Sequence, residues 1–524
     1  MKKTEAQLSE TQNSWRILTR GLALVAAMGL AGCVDSDENT ISADSDEDTI
    51  QSYTTNSPAA IAQESDTNYD NNVNGLISGS TLTDWIDDWE ANRPEGITGD
   101  LVIMHVSVWE DPGNGDAKTY ITPDAANGVR SYAIDTNRLV ETRSNGVIET
   151  RSMVPSGAQV DEILKDYDLD PTEDMIVWAM GTGGPGFAMR QGRGWYMLRY
   201  WGAEKEHLAL LNGGANHEEV IPDSHKGTSV TCDENVDDSC LPGTGTVSVR
   251  DLPEDNTALQ ATLEDVMAVA RDESDAFLWD ARSQGEYWKD SYTQSDGDGA
   301  NDFNNFGSKQ GHPNNAVLLS YGNLLISDDQ KTDGDGASYR YRPKDELETF
   351  MAGGSVTVPD GDGGTTDAQF ERYYSDSGAM EPLRSDDIYV DGQTSITYCE
   401  TTFRAMITGV ASAVVLGMPN RFYDGAMVEW NSLSHIQDKD NNFLLPSDSP
   451  WRTDKDDPDT DLVSHFEYND PAYIETRTID DPYADHSKAI INEDRDYKIS
   501  GSGDSDDGGD DDGGGSVPPN PCGG

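Results

Sequence analysis

Basic residues are scarce. Lys+Arg is 36 against 97 Asp+Glu in 524 residues, a formal charge of -61. So acidic a surface excludes charge-driven binding to nucleic acid or to an anionic membrane face. The acids are spread along the whole chain, as expected of a protein adapted to salt, where ionic strength screens self-repulsion. The same surface repels an acidic substrate, so any anion site has to be local and shielded. Histidine (8) and cysteine (5) are also few. No His/Cys cluster suggests zinc, and neither a metal nor a cofactor is expected. The Asp-rich pieces Asp296–Gly299 and Asp438–Asn442 do not complete a twelve-residue calcium loop with its terminal Glu. The glycine cluster after Met180 has no Lys-Ser/Thr behind it, so it is not a phosphate loop. The apolar run Leu22 to Leu30 is too short to span a membrane.

That run is nevertheless informative. Lys2, Lys3, Arg16 and Arg20 precede it, and Leu30-Ala31-Gly32-Cys33 follows. The arrangement resembles a bacterial lipoprotein signal with its lipobox. The resemblance implies export, cleavage before Cys33 and lipidation of that cysteine, hence a membrane partner through a lipid anchor. Val34 stands where an Asp would signal inner-membrane retention, so an outer-membrane location is implied. The next segment, 34–80, is Ser-, Asp-, Asn- and Thr-rich and is expected to be a disordered tether. The acidic low-complexity tail, 501–524, which holds Cys522, is expected to be disordered too.

Between tether and tail, apolar runs of strand length alternate with helical periodicity, which argues an α/β fold with parallel sheet. The pattern occurs twice. In the first half, Leu101 to Val108, Met175 to Met180 and Leu208 to Leu211 read as strands, with helices over Val160 to Leu164 and Gly194 to Tyr200. In the second, Ala276 to Asp280, Ala316 to Leu319, Ile396 to Tyr398 and Arg421 to Tyr423 read as strands, with helices over Leu259 to Ala270, Pro343 to Met351 and Ala405 to Leu416. The expected domains are 81–220 and 257–435, with a linker at 221–256 and an extension at 436–500. Ser295 to Gly307 and Gly353 to Asp376 read as surface loops. Cys232 and Cys240, close together in a Gly-, Asp- and Pro-rich stretch, suggest a loop-closing disulfide, although two thiols also fit.

Cys399 is left without an evident mate. It follows the strand Thr394 to Tyr398 and precedes the apolar helix from Ala405. At such a turn, backbone N–H groups and the positive end of the helix dipole favour an anion, and so a thiolate nucleophile. A buried structural cysteine fits the turn equally well.

Four segments of the second half resemble the two-domain rhodanese (sulfurtransferase) family. They are Asp280-Ala-Arg282-Ser-Gln-Gly-Glu286-Tyr287, Gly311-His312-Pro-Asn-Asn-Ala316, Tyr398-Cys399-Glu400-Thr401-Thr402-Phe403-Arg404-Ala405, and Tyr423-Asp424-Gly-Ala-Met-Val-Glu429-Trp430. They stand in the family's order over most of a domain, and the first half matches more faintly. The resemblance implies two tandem rhodanese-like domains, each a parallel sheet flanked by helices, with the first inactive. It also implies sulfane-sulfur transfer from a small anionic donor, such as thiosulfate or mercaptopyruvate, to a thiol or cyanide through a persulfide on Cys399. Carried over in the same way, Glu400, Thr401, Thr402, Phe403, Arg404 and Arg282 would bind substrate, whereas Asp280 and His312 would be structural. Four residues separate Cys399 from Arg404, the spacing of the sulfur-transfer loops; related phosphatases have five, a wider cradle. Two departures stand out. Glu400 opposes a thiolate and an anionic donor, and Thr402 replaces a glycine that would reach φ > 0 more easily. A non-catalytic scaffold lipoprotein within an envelope complex is the alternative.

Overall fold

Two sheets that repeat one order of parallel strands organise the described residues. This is a computed structural model. It describes residues 53–500 apart from 112–113, 116, 146–148, 182–183, 288–311, 328–338, 361–362, 375–379, 434–436, 439, 443–477 and 480–488. The signal, Cys33, Gly311, the 295–307 loop and the tail with Cys522 lie outside the described residues.

The first repeat contains β1 (Gly75–Ile77), β2 (Leu101–Ser107), β3 (Val129–Ala133), β4 (Met175–Met180) and β5 (Leu208–Gly214), with β6 (Cys232–Asp233) at its edge. Its helices are α1 (Gly79–Asp87), α2 (Gly157–Tyr167) and α3 (Pro185–Trp201). The second contains β7 (Gln260–Ala261), β8 (Phe277–Asp280), β9 (Val317–Leu318), β10 (Glu371–Tyr374), β11 (Met380–Pro382), β12 (Ser395–Tyr398) and β13 (Asn420–Tyr423). Its helices are α4 (Leu263–Ala270), α5 (Gln284–Tyr287), α6 (Lys344–Met351), α7 (Phe403–Val410) and α8 (Ala426–Ser432), and α9 (Ala489–Ile499) follows.

Across the first sheet the order is β1-β5-β4-β2-β3-β6, and across the second β7-β13-β12-β8-β9-β10-β11. The first five positions of each match one for one, and all of those pairings are parallel. β4 reads Met-Ile-Val-Trp-Ala-Met with every residue buried, the continuous apolar run of a strand covered on both faces. The fold class is therefore α/β with parallel sheets flanked by helices.

α3 and α7, the helices that follow the corresponding strands β4 and β12, pack on each other between the sheets. They approach closely because α3 carries Gly192: a Cβ there would stand 2.6 Å from that of Met406.

Several expectations fail. Residues 53–80 are folded, not a tether. Thr54–Thr55 pairs with Glu254–Asp255. The Gln63 and Ser65 amides donate to the carbonyls of Ala413 and Val415, at 2.8 and 3.1 Å. Those carbonyls belong to the wider π turn, Ala411–Val415, that ends the α7 helix. A polar sequence thus serves as a strap, supplying donors where the helix changes pitch. The linker contributes β6 to the first sheet, and Cys232 and Cys240 are joined there. The helix expected from Leu259 begins at Leu263 behind a Thr262/Asp265 capping box, because Gln260–Ala261 is drawn into the sheet beside β13. Within the 353–376 loop, Val356–Pro359 and Thr365–Ala368 form a hairpin, and β10 extends the second sheet antiparallel. The extension folds back through α9, where the buried Asp494 receives Arg143 at 2.6 and 3.0 Å and the Tyr200 hydroxyl at 2.7 Å.

Candidate active site

β12 ends at Tyr398, and the next four residues carry the chain to the first turn of α7. Cys399 is the first of them. It is fully buried, retains its thiol, and packs with Ala281 and Ala405, with partly exposed Tyr321 against this small cluster. Its carbonyl accepts the Met427 amide at 3.1 Å, which ties the loop to α8.

Thr402 closes the loop in the left-handed region, with φ at 66°. From sequence a threonine is not expected here, because this conformation is costly for a β-branched side chain. Its hydroxyl accounts for it, lying within hydrogen-bond distance of the carbonyls of Tyr423 and Asp424, at 3.0 and 2.9 Å. A glycine would relieve the backbone and lose that tie.

The two arginines of the site are both held by carboxylates. Arg404 meets Glu286 of α5 in a two-pronged pair, each contact 2.6 Å. Burial pushes the Glu286 carboxyl up, but the Arg404 guanidinium, with Arg282 and Ser283 assisting, brings it down to about 2. Arg282 grips Asp280 through Nε and Nη2, its Nη1 lies 3.9 Å from Glu400, and its charge sits 5.9 Å from the Tyr398 ring. Burial works against the Arg282 cation, but Asp280 and then Tyr398 hold its pKa well above the ordinary range. Tyr398 donates to Asp280 at 2.8 Å. Asp280 and Arg282 thus brace the end of the central strand. Glu400 itself is buried.

His312 stacks on Tyr287 with ring centroids 3.5 Å apart, and its Nδ1 lies 3.0 Å from the Tyr287 carbonyl. Burial depresses its pKa to about 4, so the ring is neutral at ordinary pH. Thr401 and Phe403 are buried in the loop and at the helix start. Of the residues expected from sequence, 399–402 form the loop and 403–404 open α7, Arg282 holds Asp280 and comes within 3.9 Å of Glu400, and His312 stacks on Tyr287.

Three contributors leave little trace in the sequence. Glu286 is one letter of the first motif. Asp424 is one letter of the fourth, yet it is wholly buried and paired at 2.7 Å with Arg193 of α3. Arg193 also donates to the Ser152 carbonyl and lies 5.5 Å from the Phe403 ring. The first repeat therefore reaches into the second repeat's loop. One signal was present: Arg193 is a charge next to the apolar run Trp195 to Leu198.

A scan against protein-family models finds no match, and neither does a search of curated proteins. Solved structures do resemble the chain. The Tum1 protein of Saccharomyces cerevisiae is similar at 15% identity and TM-score 0.43, over 68% of this chain and 95% of its own. The 3-mercaptopyruvate sulfurtransferase of Leishmania major is similar at 15% identity and TM-score 0.41, over 69% and 75%. SseA of Escherichia coli, described with the rhodanese fold, is similar at 16% identity and TM-score 0.39, over 67% and 98%.

Proposed function

We propose that this protein is a rhodanese-type sulfurtransferase working through a persulfide on Cys399. One observation carries the reading: a thiol stands at the C-terminal end of a central parallel strand, four residues before α7 and beside the braced Asp280–Arg282 pair. That end of an α/β sheet is where loops gather chemistry. The start of α7 presents main-chain N–H groups and a positive dipole end that suit a sulfur anion. In the first half-reaction the thiolate attacks the outer sulfur of the donor, and the donor's remainder leaves with the bonding pair. In the second an acceptor thiolate takes that sulfur from the persulfide and regenerates Cys399. Arg404, clasped by Glu286, organises the loop.

The test uses intact mass. Wild-type protein incubated with a sulfane-sulfur donor gains one sulfur atom, which cyanide or a thiol removes. The same gain in Cys399→Ser would end the assignment. The full burial of Cys399 favours a second reading, a non-catalytic scaffold. An unreactive Cys399 together with a co-purifying envelope protein would support it. Attachment to the bacterial envelope through a lipidated Cys33 belongs to the same proposal; metabolic labelling with a fatty acid, lost in Cys33→Ser, tests it.

A further inference from the structure

We infer that Arg193, a residue of the first repeat, is a positioning residue for Cys399: it holds the second repeat's loop in its reactive shape through Asp424, without acting on the donor. The inference rests on the sulfur-transfer reading above. Asp424 is where the two repeats meet at the loop. Its buried carboxylate accepts from two places in the first repeat, the Arg193 guanidinium at 2.7 Å and the Val154 amide at 2.5 Å. The same guanidinium donates to the Ser152 carbonyl. One planar group with donors in fixed directions thus ties the 152–154 segment and Asp424 together.

Asp424 in turn fastens the loop at its start and at its end. It follows β13 and leads into α8, whose Met427 and Val428 amides donate to the carbonyls of Cys399 and Glu400, at 3.1 and 3.4 Å. Its own carbonyl lies 2.9 Å from the hydroxyl of Thr402, the residue at positive φ that closes the loop. The Arg193 charge also lies 5.5 Å from the ring of Phe403, the first residue of α7. Without Arg193 the Asp424 carboxylate is a buried charge with no counter-ion. Its cheapest relief is to move toward water, and the start of α8 and the loop move with it. The loop amides favour a thiolate only while they point at it. A shift of about an ångström also takes the sulfur out of line with the bond it attacks, which costs more in rate than in stability.

The experiment measures the rate of sulfur loading on Cys399 of the full chain by quenched mass spectrometry. Thiosulfate and 3-mercaptopyruvate are the donors, each over a range of concentrations, at a temperature where every variant is folded by circular dichroism. Arg193→Met should lower the maximal rate about tenfold. The half-saturating donor concentration should stay within about twofold, as for a residue that does not bind the donor. Arg193→Lys keeps the charge, but one ammonium cannot serve Asp424 and Ser152 together, so the maximal rate should fall about threefold. That variant carries the same test if Arg193→Met does not fold. The control is Arg130, held at 2.8 Å by Asp174 just before β4, at the end of that strand away from the loops. Arg130→Met should destabilise the first repeat yet load within about twofold of wild type, because the two sites share no partner. Wild-type loading in the Arg193 variants overturns the inference and leaves sulfur transfer standing. So does a rise in half-saturating concentration alone, or an equal loss in Arg130→Met. Wild type that loads from neither donor ends the sulfur-transfer reading and this inference with it.

Discussion

The two repeats share a strand order and differ in what their key loops hold. After β4, as after β12, four residues lead to the helix: Gly181 to Gly184 in the first repeat, Cys399 to Thr402 in the second. By position Gly181 stands for Cys399 and Gly186 for Arg404. The first loop thus lacks both the cysteine and the guanidinium that is paired with Glu286 in its counterpart. A side chain would not fit there in any case, since a Cβ on Gly181 would come within 2.7 Å of the Ser107 carbonyl oxygen and the Trp109 amide nitrogen. What the first repeat supplies is Arg193, passed across to Asp424 beneath the second loop. The repeats thus differ in content: one holds the cysteine, and the other supplies a brace to its loop.

The largest effect should come from exchanging nucleophiles. Cys399→Ser should lower sulfur loading by at least about a thousandfold, as loss of a covalent nucleophile does. Adding Gly181→Cys in that background should restore nothing, and any recovered adduct would show the loops to be closer in chemistry than in packing.

Next is the brace. Arg193→Met strands the wholly buried Asp424 carboxylate and should cost roughly 3–5 kcal/mol in urea unfolding. The double variant Arg193→Met/Asp424→Asn should recover part of that loss. A single variant as stable as wild type would mean that the repeats do not depend on this contact.

A pH effect is expected in the second repeat at Glu429. Burial, with Asp424 adding to it and the Tyr423 hydroxyl opposing it, raises the Glu429 carboxyl to about 7. A raised carboxyl binds its proton more tightly in the folded state. Its contribution is therefore full below its ordinary pKa near 4.5 and declines as pH rises to about 7. At most it amounts to roughly 3 kcal/mol. Glu429→Gln should abolish that part of the decline, read as the difference between two stability–pH curves. Parallel curves would remove Glu429 from the account.

The smallest effect is at the loop's hinge. Thr402→Val keeps the branched side chain at positive φ but loses the hydroxyl, and should cost about 1–3 kcal/mol. Thr402→Gly relieves the backbone while losing the same tie, and should fall within about 1 kcal/mol of wild type. Equal melting points for the two would show that the hydroxyl is idle.

Much of this was legible in the sequence. β2, β4, β8 and β12 are apolar runs long enough to announce themselves, and Cys399 stands at a strand-to-helix junction visible without coordinates. Shorter pieces were not legible. Gly75–Ile77 sits at the end of a polar segment and Gln260–Ala261 in front of a helical pattern. Each becomes strand only because the sheet beside it offers unpaired donors and acceptors. The strap at 53–72 is illegible for the same reason: few of its own side chains are apolar, and it is ordered by carbonyls at the end of α7 and by the edge at Glu254. α9 is polar over most of its length, and its anchor, Asp494, needs Arg143 and Tyr200 from far away in the chain.

Sequence alone determined the alternation of buried strands and helices, the duplication, and the placing of one cysteine before a helix, because these depend on apolar periodicity and local backbone preference. Only the tertiary structure decided which charges cancel. Glu286 meets Arg404 across 118 residues and Asp424 meets Arg193 across 231. A buried ion has to find its partner in space, and no local pattern says where that partner stands.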